Sequence, residues 1–372
     1  MNVIFTCGGT AGHVNPALAL AGYMKERLPE LRVLFVGTPD GMERGLVEKS
    51  GYDFRGVEIS NFQRSLKPAA LGHNLQTAKR MVTSRRQARA ILAEFRPDLV
   101  VGTGGYASYP MIRSAAKAGI PTAVHESNMV PGLTTRMLEK YTDRIMVGFE
   151  ECRAHYRRPD KVAVTGTPVR GDFFALTHDE ARQRLGFSDD RPLVVSFWGS
   201  LGASGMNAQM LDFFRREQAE GEPFHHIHAV GRGGWEKMKS ELAARGLDRC
   251  PSLDVREYIY DMAVVMRAAD LVICRAGAST VSEVTALAVP TVIVPSPYVV
   301  NNHQEKNARI LEQHGGAVLL LESECTGDKL YEAARGILSD PSRRAVMSRG
   351  MASLGILDAT ERIYDTVMAL VK

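Results

Sequence analysis

The residues most plainly spaced for chemistry lie in short glycine-rich turns. Cys7-Gly8-Gly9-Thr10-Ala11-Gly12-His13 follows a strand-like run, Val3 to Thr6. Glycines there allow a tight turn and a close backbone approach to a ligand, and an imidazole at the end of a strand can take a proton near neutral pH. Gly102-Thr103-Gly104-Gly105-Tyr106-Ala107-Ser108 repeats the pattern, and His125-Glu126-Ser127-Asn128 follows the next strand-like run. Phe197-Trp198-Gly199-Ser200-Leu201-Gly202-Ala203 and Arg275-Ala276-Gly277-Ala278-Ser279-Thr280 do the same in the second half. Amides at a helix start suit a phosphate, so small residues at this many strand ends point to a cleft that holds a diphosphate. The first turn lacks the G-x-G-x-x-G pattern and its distal acid, which argues against a nicotinamide or flavin.

These turns need strands to carry them. Val3 to Thr6, Arg32 to Val36, Asp98 to Gly102, Thr122 to His125 and Arg144 to Val147 alternate with helical patterns in the first half. Leu193 to Phe197, His226 to Val230, Asp270 to Cys274, Thr291 to Val294 and Val318 to Leu321 do so in the second. That alternation predicts parallel sheets covered on both faces. An internal echo sharpens it: Asp98-Leu99-Val100 leads through a small-residue turn and a helix to Ile120-Pro121-Thr122, and Asp270-Leu271-Val272 leads likewise to Val289-Pro290-Thr291. Two Rossmann-like halves follow, joined near Val164 to Gly171. Asn15 is expected to cap the first helix, with Pro16 at its first position. Periodicity does not decide which half the last helical stretch, Ala359 to Val371, packs on.

Composition excludes several classes. With 372 residues, 45% hydrophobic and 24% charged, the chain is long enough for two cores. A net charge of +4 does not by itself imply nucleic acid. Five scattered cysteines without a C-x-x-C pair suit a reducing compartment. The first residues read as a strand and not as a signal peptide, and no apolar run approaches the roughly 20 residues of a spanning helix, so any membrane contact is expected to be peripheral. His225, His226 and His228 offer two imidazoles on one strand face but no third ligand at a metal's spacing.

Taken together, Gly8 to His13, Gly102 to Tyr106, His125 to Asn128, Gly166-Thr167-Pro168-Val169-Arg170 and Arg275-Ala276-Gly277-Ala278-Ser279-Thr280-Val281-Ser282-Glu283 resemble the MurG family of glycosyltransferases, in order along nearly the whole chain. The resemblance implies an α/β GT-B fold of two Rossmann-like domains whose parallel sheets face a central cleft. It implies a membrane-associated acceptor domain over 1–166, a UDP-N-acetylglucosamine domain over 167–355, and a C-terminal helix, 356–372, returning to the first. The implied activity is inverting transfer of N-acetylglucosamine from UDP-N-acetylglucosamine to the 4-hydroxyl of undecaprenyl-pyrophosphoryl-N-acetylmuramoyl-pentapeptide, the step from lipid I to lipid II of peptidoglycan synthesis. It would occur at the inner face of the cytoplasmic membrane.

Carried over residue by residue, the resemblance gives uracil to the backbone of Ile259 and the ribose hydroxyls to Glu283. Uracil or diphosphate falls to Arg170, Ser200 and the amides of Ala278, Ser279, Thr280 and Val281, with Ser282 in the same motif. The sugar falls to Asn128, Gln304 and Asn307, and Thr10, Ala11 and Gly12 close over the donor. The chain departs from the family at Trp198, where glycine is usual, at Leu201, where glutamine is usual, and at His303, where a second glutamine is usual beside Gln304.

His13 is the candidate base; Glu126 is a second candidate, a partner orienting an imidazole, or a buried structural group. No D-x-D motif stands at a strand end, so no obligatory metal and no cofactor are expected. Between Asn61 and Arg96, Arg64, Lys67, Lys79, Arg80, Arg85, Arg86, Arg89 and Arg96 face one acid, Glu94, with Leu66, Leu71, Leu75, Met81 and Val82 among them. Such a stretch suits an anionic membrane surface, and it equally suits a solvated helix. A nucleotide-sugar epimerase would need groups on both faces of the donor sugar, and a non-catalytic sensor would not need His13.

Overall fold

The computed structural model describes residues 1–59 and 68–371. The chain divides into two units, one of Met1–Val169 with Ile356–Lys372 and the other of Arg170–Gly355. In the first, strands β1 (Asn2–Thr6), β2 (Arg32–Gly37), β3 (Asp53–Gly56), β4 (Leu99–Gly102), β5 (Thr122–Glu126), β6 (Arg144–Val147) and β7 (Val162–Val164) form one parallel sheet in the order 3-2-1-4-5-6-7. Its helices are α1 (Ala11–Arg27), α2 (Met42–Lys49), α3 (Pro68–Phe95), α4 (Ser108–Lys117) and α5 (Leu133–Leu138).

The second unit repeats the order with β8 (Leu193–Phe197), β9 (His225–Ala229), β10 (Leu253–Arg256), β11 (Leu271–Cys274), β12 (Thr291–Ile293) and β13 (Ala317–Leu319), arranged 10-9-8-11-12-13. Its helices are α6 (His178–Arg184), α7 (Ser204–Ala219), α8 (Trp235–Ala244), α9 (Met262–Arg267), α10 (Ala278–Ala286), α11 (His303–Gln313), α12 (Gly327–Leu338) and α13 (Pro341–Ala352). A last helix, α14 (Ala359–Met368), packs on α1 of the first unit, with Ile363 and Val367 buried beside Met24 and Leu20 and the Tyr23 and Tyr364 rings 5.6 Å apart. Its apolar face fixes that position, which periodicity alone left open.

The internal echo has a hydrogen-bond basis. Asp98 precedes β4 and accepts from the Asn2 amide at 2.8 Å, while its own amide donates to the Asn2 carbonyl. Asp270 precedes β11 and makes the same pair of contacts with Leu193, its carboxylate at 2.9 Å from that amide. Each aspartate thus pins the start of one central strand to the next, satisfying an amide that the ladder leaves over. The central strands are buried along their length, as parallel strands covered on both faces must be.

Two expectations need correction. The edge strands β3, β7 and β10 escaped the sequence reading because their short segments, such as Asp53-Phe54-Arg55-Gly56 and Leu253-Asp254-Val255-Arg256, are partly exposed and lack a continuous apolar run. Helix α1 begins at Ala11, with Thr10 at its N-cap, and Pro16 lies inside it. Pro16 is past the first turn, so it lacks the donor that would reach the Gly12 carbonyl and crowds that oxygen with its ring. His13 therefore stands on the first turn of a helix.

Candidate active site

The first unit gathers its candidates where β1, β4 and β5 end. His13 Nδ1 lies 2.8 Å from the carbonyl oxygen of Gly8. A carbonyl only accepts, so Nδ1 carries the proton and Nε2 of the neutral ring keeps its lone pair. The second glycine turn closes on this arrangement. Thr103 donates its hydroxyl to the His13 carbonyl at 2.6 Å, and Gly104 and Gly105 take φ values of +114° and +80°. A Cβ on Gly104 would stand 2.5 Å from His13 Cδ2, and one on Gly105 would stand 2.2 Å from the Gly8 oxygen. Both positions therefore exclude a side chain on conformational and steric grounds. Thr10 is exposed at the helix cap, and Ala11 and Gly12 open the first turn.

Glu126 is buried and fully engaged. One carboxylate oxygen accepts from the amide of Asn128 at 3.1 Å and from its side chain at 3.0 Å. The other accepts from the Gly132 amide at 3.0 Å and the Thr135 hydroxyl at 2.7 Å. Of the roles open to it from sequence, this geometry matches the buried structural one: it ties the loop after β5 to α5 and orients Asn128. His125 is wholly buried and its pKa is lowered by burial. Its Nε2–H donates to Gly166 at 2.9 Å and its Nδ1 accepts from Ser127 at 3.3 Å, so it anchors the segment that ends the first unit.

In the second unit, helix α10 starts at Ala278, and its first intrahelical bond runs from the Val281 amide to the Gly277 carbonyl at 2.9 Å. The amides of Ala278, Ser279 and Thr280 precede that bond, so as the first amides of the helix they have no intrahelical acceptor. Ser282 turns its hydroxyl back to the Ala278 carbonyl at 3.0 Å, and Val281 is buried. Glu283, one turn on, is part-buried, and no hydrogen bond to its carboxylate is found among the described residues. Burial raises its pKa to about 7, against the opposing pull of Arg170, while Asp172 adds to the rise. Arg170 is mostly exposed and pairs with Asp172 at 3.3 Å.

Other predicted residues are placed less directly. Ser200 is exposed at the end of the loop after β8, and Leu201 is 80% exposed. Trp198 is buried in the core, with the Arg275 guanidinium 5.6 Å over its ring. Ile259 has a buried side chain, which leaves its backbone for any ligand contact. Gln304 accepts from the Ser296 amide at 2.8 Å, and buried Asn307 donates to the Ala276 carbonyl at 3.0 Å, so both brace loops at strand ends. Ahead of α11, Asn301 and Asn302 take φ values of +58° and +51°, which accommodates the long loop there.

Sequence reasoning missed Arg275 and Glu43. Arg275 pairs with Glu322 at 2.6 Å and donates to Val294, holding the turn that opens α10. Glu43, on α2, is wholly buried, and its spacing of four from buried Val47 was the signal that it faces inward. Arg64, Lys67 and Leu66 lie outside the described residues. Among the described residues no cluster of His, Cys, Asp or Glu is placed to hold a metal ion.

The two halves match the glycosyltransferase family 28 N-terminal domain over residues 3–147 and the C-terminal domain over residues 193–363. The chain is 40% identical, over its whole length and 99% of the relative's, to the UDP-N-acetylglucosamine–N-acetylmuramyl-(pentapeptide) pyrophosphoryl-undecaprenol N-acetylglucosamine transferase of Acetivibrio thermocellus. The chain belongs to the MurG family. The transferase of the same name from Bacillus subtilis is 36% identical over the full length of both chains. The crystal structure of MurG from Acinetobacter baumannii superposes with a TM-score of 0.78 at 25% identity, covering 99% of each chain. The two parallel sheets are those of a GT-B glycosyltransferase.

Proposed function

We propose that this chain transfers N-acetylglucosamine from UDP-N-acetylglucosamine to the 4-hydroxyl of undecaprenyl-pyrophosphoryl-N-acetylmuramoyl-pentapeptide, with His13 as the base. The observation that carries the role of His13 is the bond from its Nδ1–H to Gly8, which leaves Nε2 as an acceptor of the hydroxyl proton. As the 4-oxygen bonds to the anomeric carbon, the proton passes to Nε2. The bond from that carbon to the diphosphate breaks on the opposite face, so the configuration inverts. The electron pair goes to the departing phosphate oxygen, where the amides of Ala278 to Thr280, Ser200 and Arg170 offset the charge.

Glu283 accepts from the ribose hydroxyls, Ile259 meets uracil through its backbone, and Asn128, Gln304 and Asn307 serve the sugar. Thr10, Ala11 and Gly12 close over the donor. Glu126 holds Asn128 and its loop in place. The acceptor carries a polyprenyl chain and is met at the anionic inner face of the cytoplasmic membrane. Among the described residues no helix is long and apolar enough to cross a membrane, and the basic side chains of α3 support peripheral attachment.

Incubation with UDP-N-acetylglucosamine, with and without the lipid-linked muramoyl acceptor, tests the reaction. Release of UDP only when acceptor is present is the expected result; an epimerised donor, or UDP release indifferent to acceptor, would overturn it. His13→Ala is expected to lower kcat by roughly 100-fold or more with donor binding retained.

A further inference from the structure

The buried carboxylate of Glu43 reaches the same peptide group that holds His13. Its Oε2 accepts from the amide of Gly9 at 3.3 Å, and its Oε1 accepts from the amide and hydroxyl of Thr38 at 2.8 and 2.6 Å. The Gly9 amide and the Gly8 carbonyl are the two ends of one peptide unit, and that carbonyl accepts from His13 Nδ1–H at 2.8 Å. The unit is enclosed on both sides. A Cβ on Gly8 would stand 2.8 Å from Glu43 Oε1, and one on Gly105 would stand 2.2 Å from the Gly8 oxygen.

We infer that Glu43 is a positioning residue that acts on His13 through the Gly8–Gly9 peptide. A hydrogen bond to a carboxylate at the N–H end of an amide drives electron density to its oxygen and makes that oxygen a stronger acceptor. The Gly8 carbonyl thereby holds the Nδ1–H tautomer more firmly and stabilises the imidazolium that forms when Nε2 takes the acceptor's proton. The proton balance needs no co-reactant: the acceptor's proton passes to Nε2, and Glu43 exchanges none. Other titratable groups nearby are Cys7, His125 and Tyr106. The Cys7 thiol is pushed up to about 12, chiefly by burial and then by Glu43, and stays neutral. His125 is kept neutral by burial. The Tyr106 ring lies near Gly9.

The inference rests on His13 being the base, and the test separates the two. In Glu43→Gln the neutral amide can still accept from Gly9, but the charge is gone. Its kcat is expected to fall roughly 10-fold, part of what a general base supplies. The ascending limb of its pH profile is expected to move down by about 0.5 unit or more, with donor KM little changed. Adding Glu43→Gln to His13→Ala should cost nothing further. A lower kcat with an unmoved limb, or a further loss in the double variant, would overturn the relay while leaving His13 as base. Full turnover in His13→Ala would overturn both. Should Glu43→Gln fail to fold, ¹⁵N NMR of the unaltered protein decides: a protonated Nδ1 with an unprotonated Nε2 on neutral His13 is expected, and the reverse tautomer would sink the relay.

Discussion

Glu283 shows how one residue's surroundings set a measurable property. Burial raises its pKa to about 7, so in the free protein the carboxyl is largely neutral below that pH. In the proposed role both ribose hydroxyls donate to this carboxyl, which the acceptor-only ionised form serves better than the protonated form, whose O–H is itself a donor. Donor binding at lower pH must therefore release a proton, and affinity falls as pH drops through 7. For UDP-N-acetylglucosamine, whose diphosphate diester does not titrate near neutrality, calorimetry should find binding about 10-fold weaker at pH 6 than at its plateau above pH 8. Glu283→Gln should bind more weakly at pH 8 and lose most of this dependence. A flat profile in the unaltered protein would remove Glu283 from the ribose.

Strands β8 and β9 carry a buried polar chain that the sequence raised only as a weak metal site. Glu217 of α7 lies 3.0 Å from His226 Nδ1, His226 Nε2 lies 2.8 Å from the Ser196 hydroxyl, and that hydroxyl lies 2.7 Å from His228 Nδ1. Burial lowers the pKa of both histidines to about 3 and raises that of Glu217. The sign for stability follows from proton counts. From about pH 6.5 down to 3 the unfolded histidines bind protons that the folded ones refuse, so stability falls as pH falls, by about 1.4 kcal/mol per unit for each. Above about 4.5 the folded Glu217 keeps a proton that the unfolded one loses, which offsets one histidine until its raised pKa is passed.

Urea unfolding followed by tryptophan fluorescence can measure this. Both tryptophans, Trp198 and Trp235, lie in the second unit. Glu217→Gln removes the offset and should steepen the loss between pH 6.5 and 4.5; an unchanged slope would refute the assignment.

At the scale of the whole molecule, α3 is the element on which the proposed membrane attachment rests. Arg86, Arg89 and Arg96 are exposed, and Glu94, the one acid of that stretch, is paired with Arg55 of β3 at 3.2 Å. Sedimentation with anionic vesicles should carry the protein down at low salt and release it at high salt, each basic residue near the surface contributing around 1 kcal/mol. Reversing Arg86 and Arg89 to Glu should weaken that binding, and equal sedimentation with neutral vesicles would count against an electrostatic contact.

The sequence by itself determined the central strands of two similar halves and the small-residue turns at their ends. Buried parallel strands must be apolar throughout, and turns that approach a ligand must be small, so both leave local marks such as Asp98-Leu99-Val100 and Gly277-Ala278-Ser279. The edge strands and the true start of α1 were not legible, because edges need only partial burial and Pro16, whose kind marks a first helical position, here lies inside the helix. Tertiary structure alone decided that Glu126 spends its carboxylate on its own loop and that Glu43 reaches Gly9 from α2. Glu43 and Gly9 stand 34 residues apart, and the partners of Glu126 depend on how the loop after β5 folds back, so which groups meet is set by packing, which no local pattern encodes.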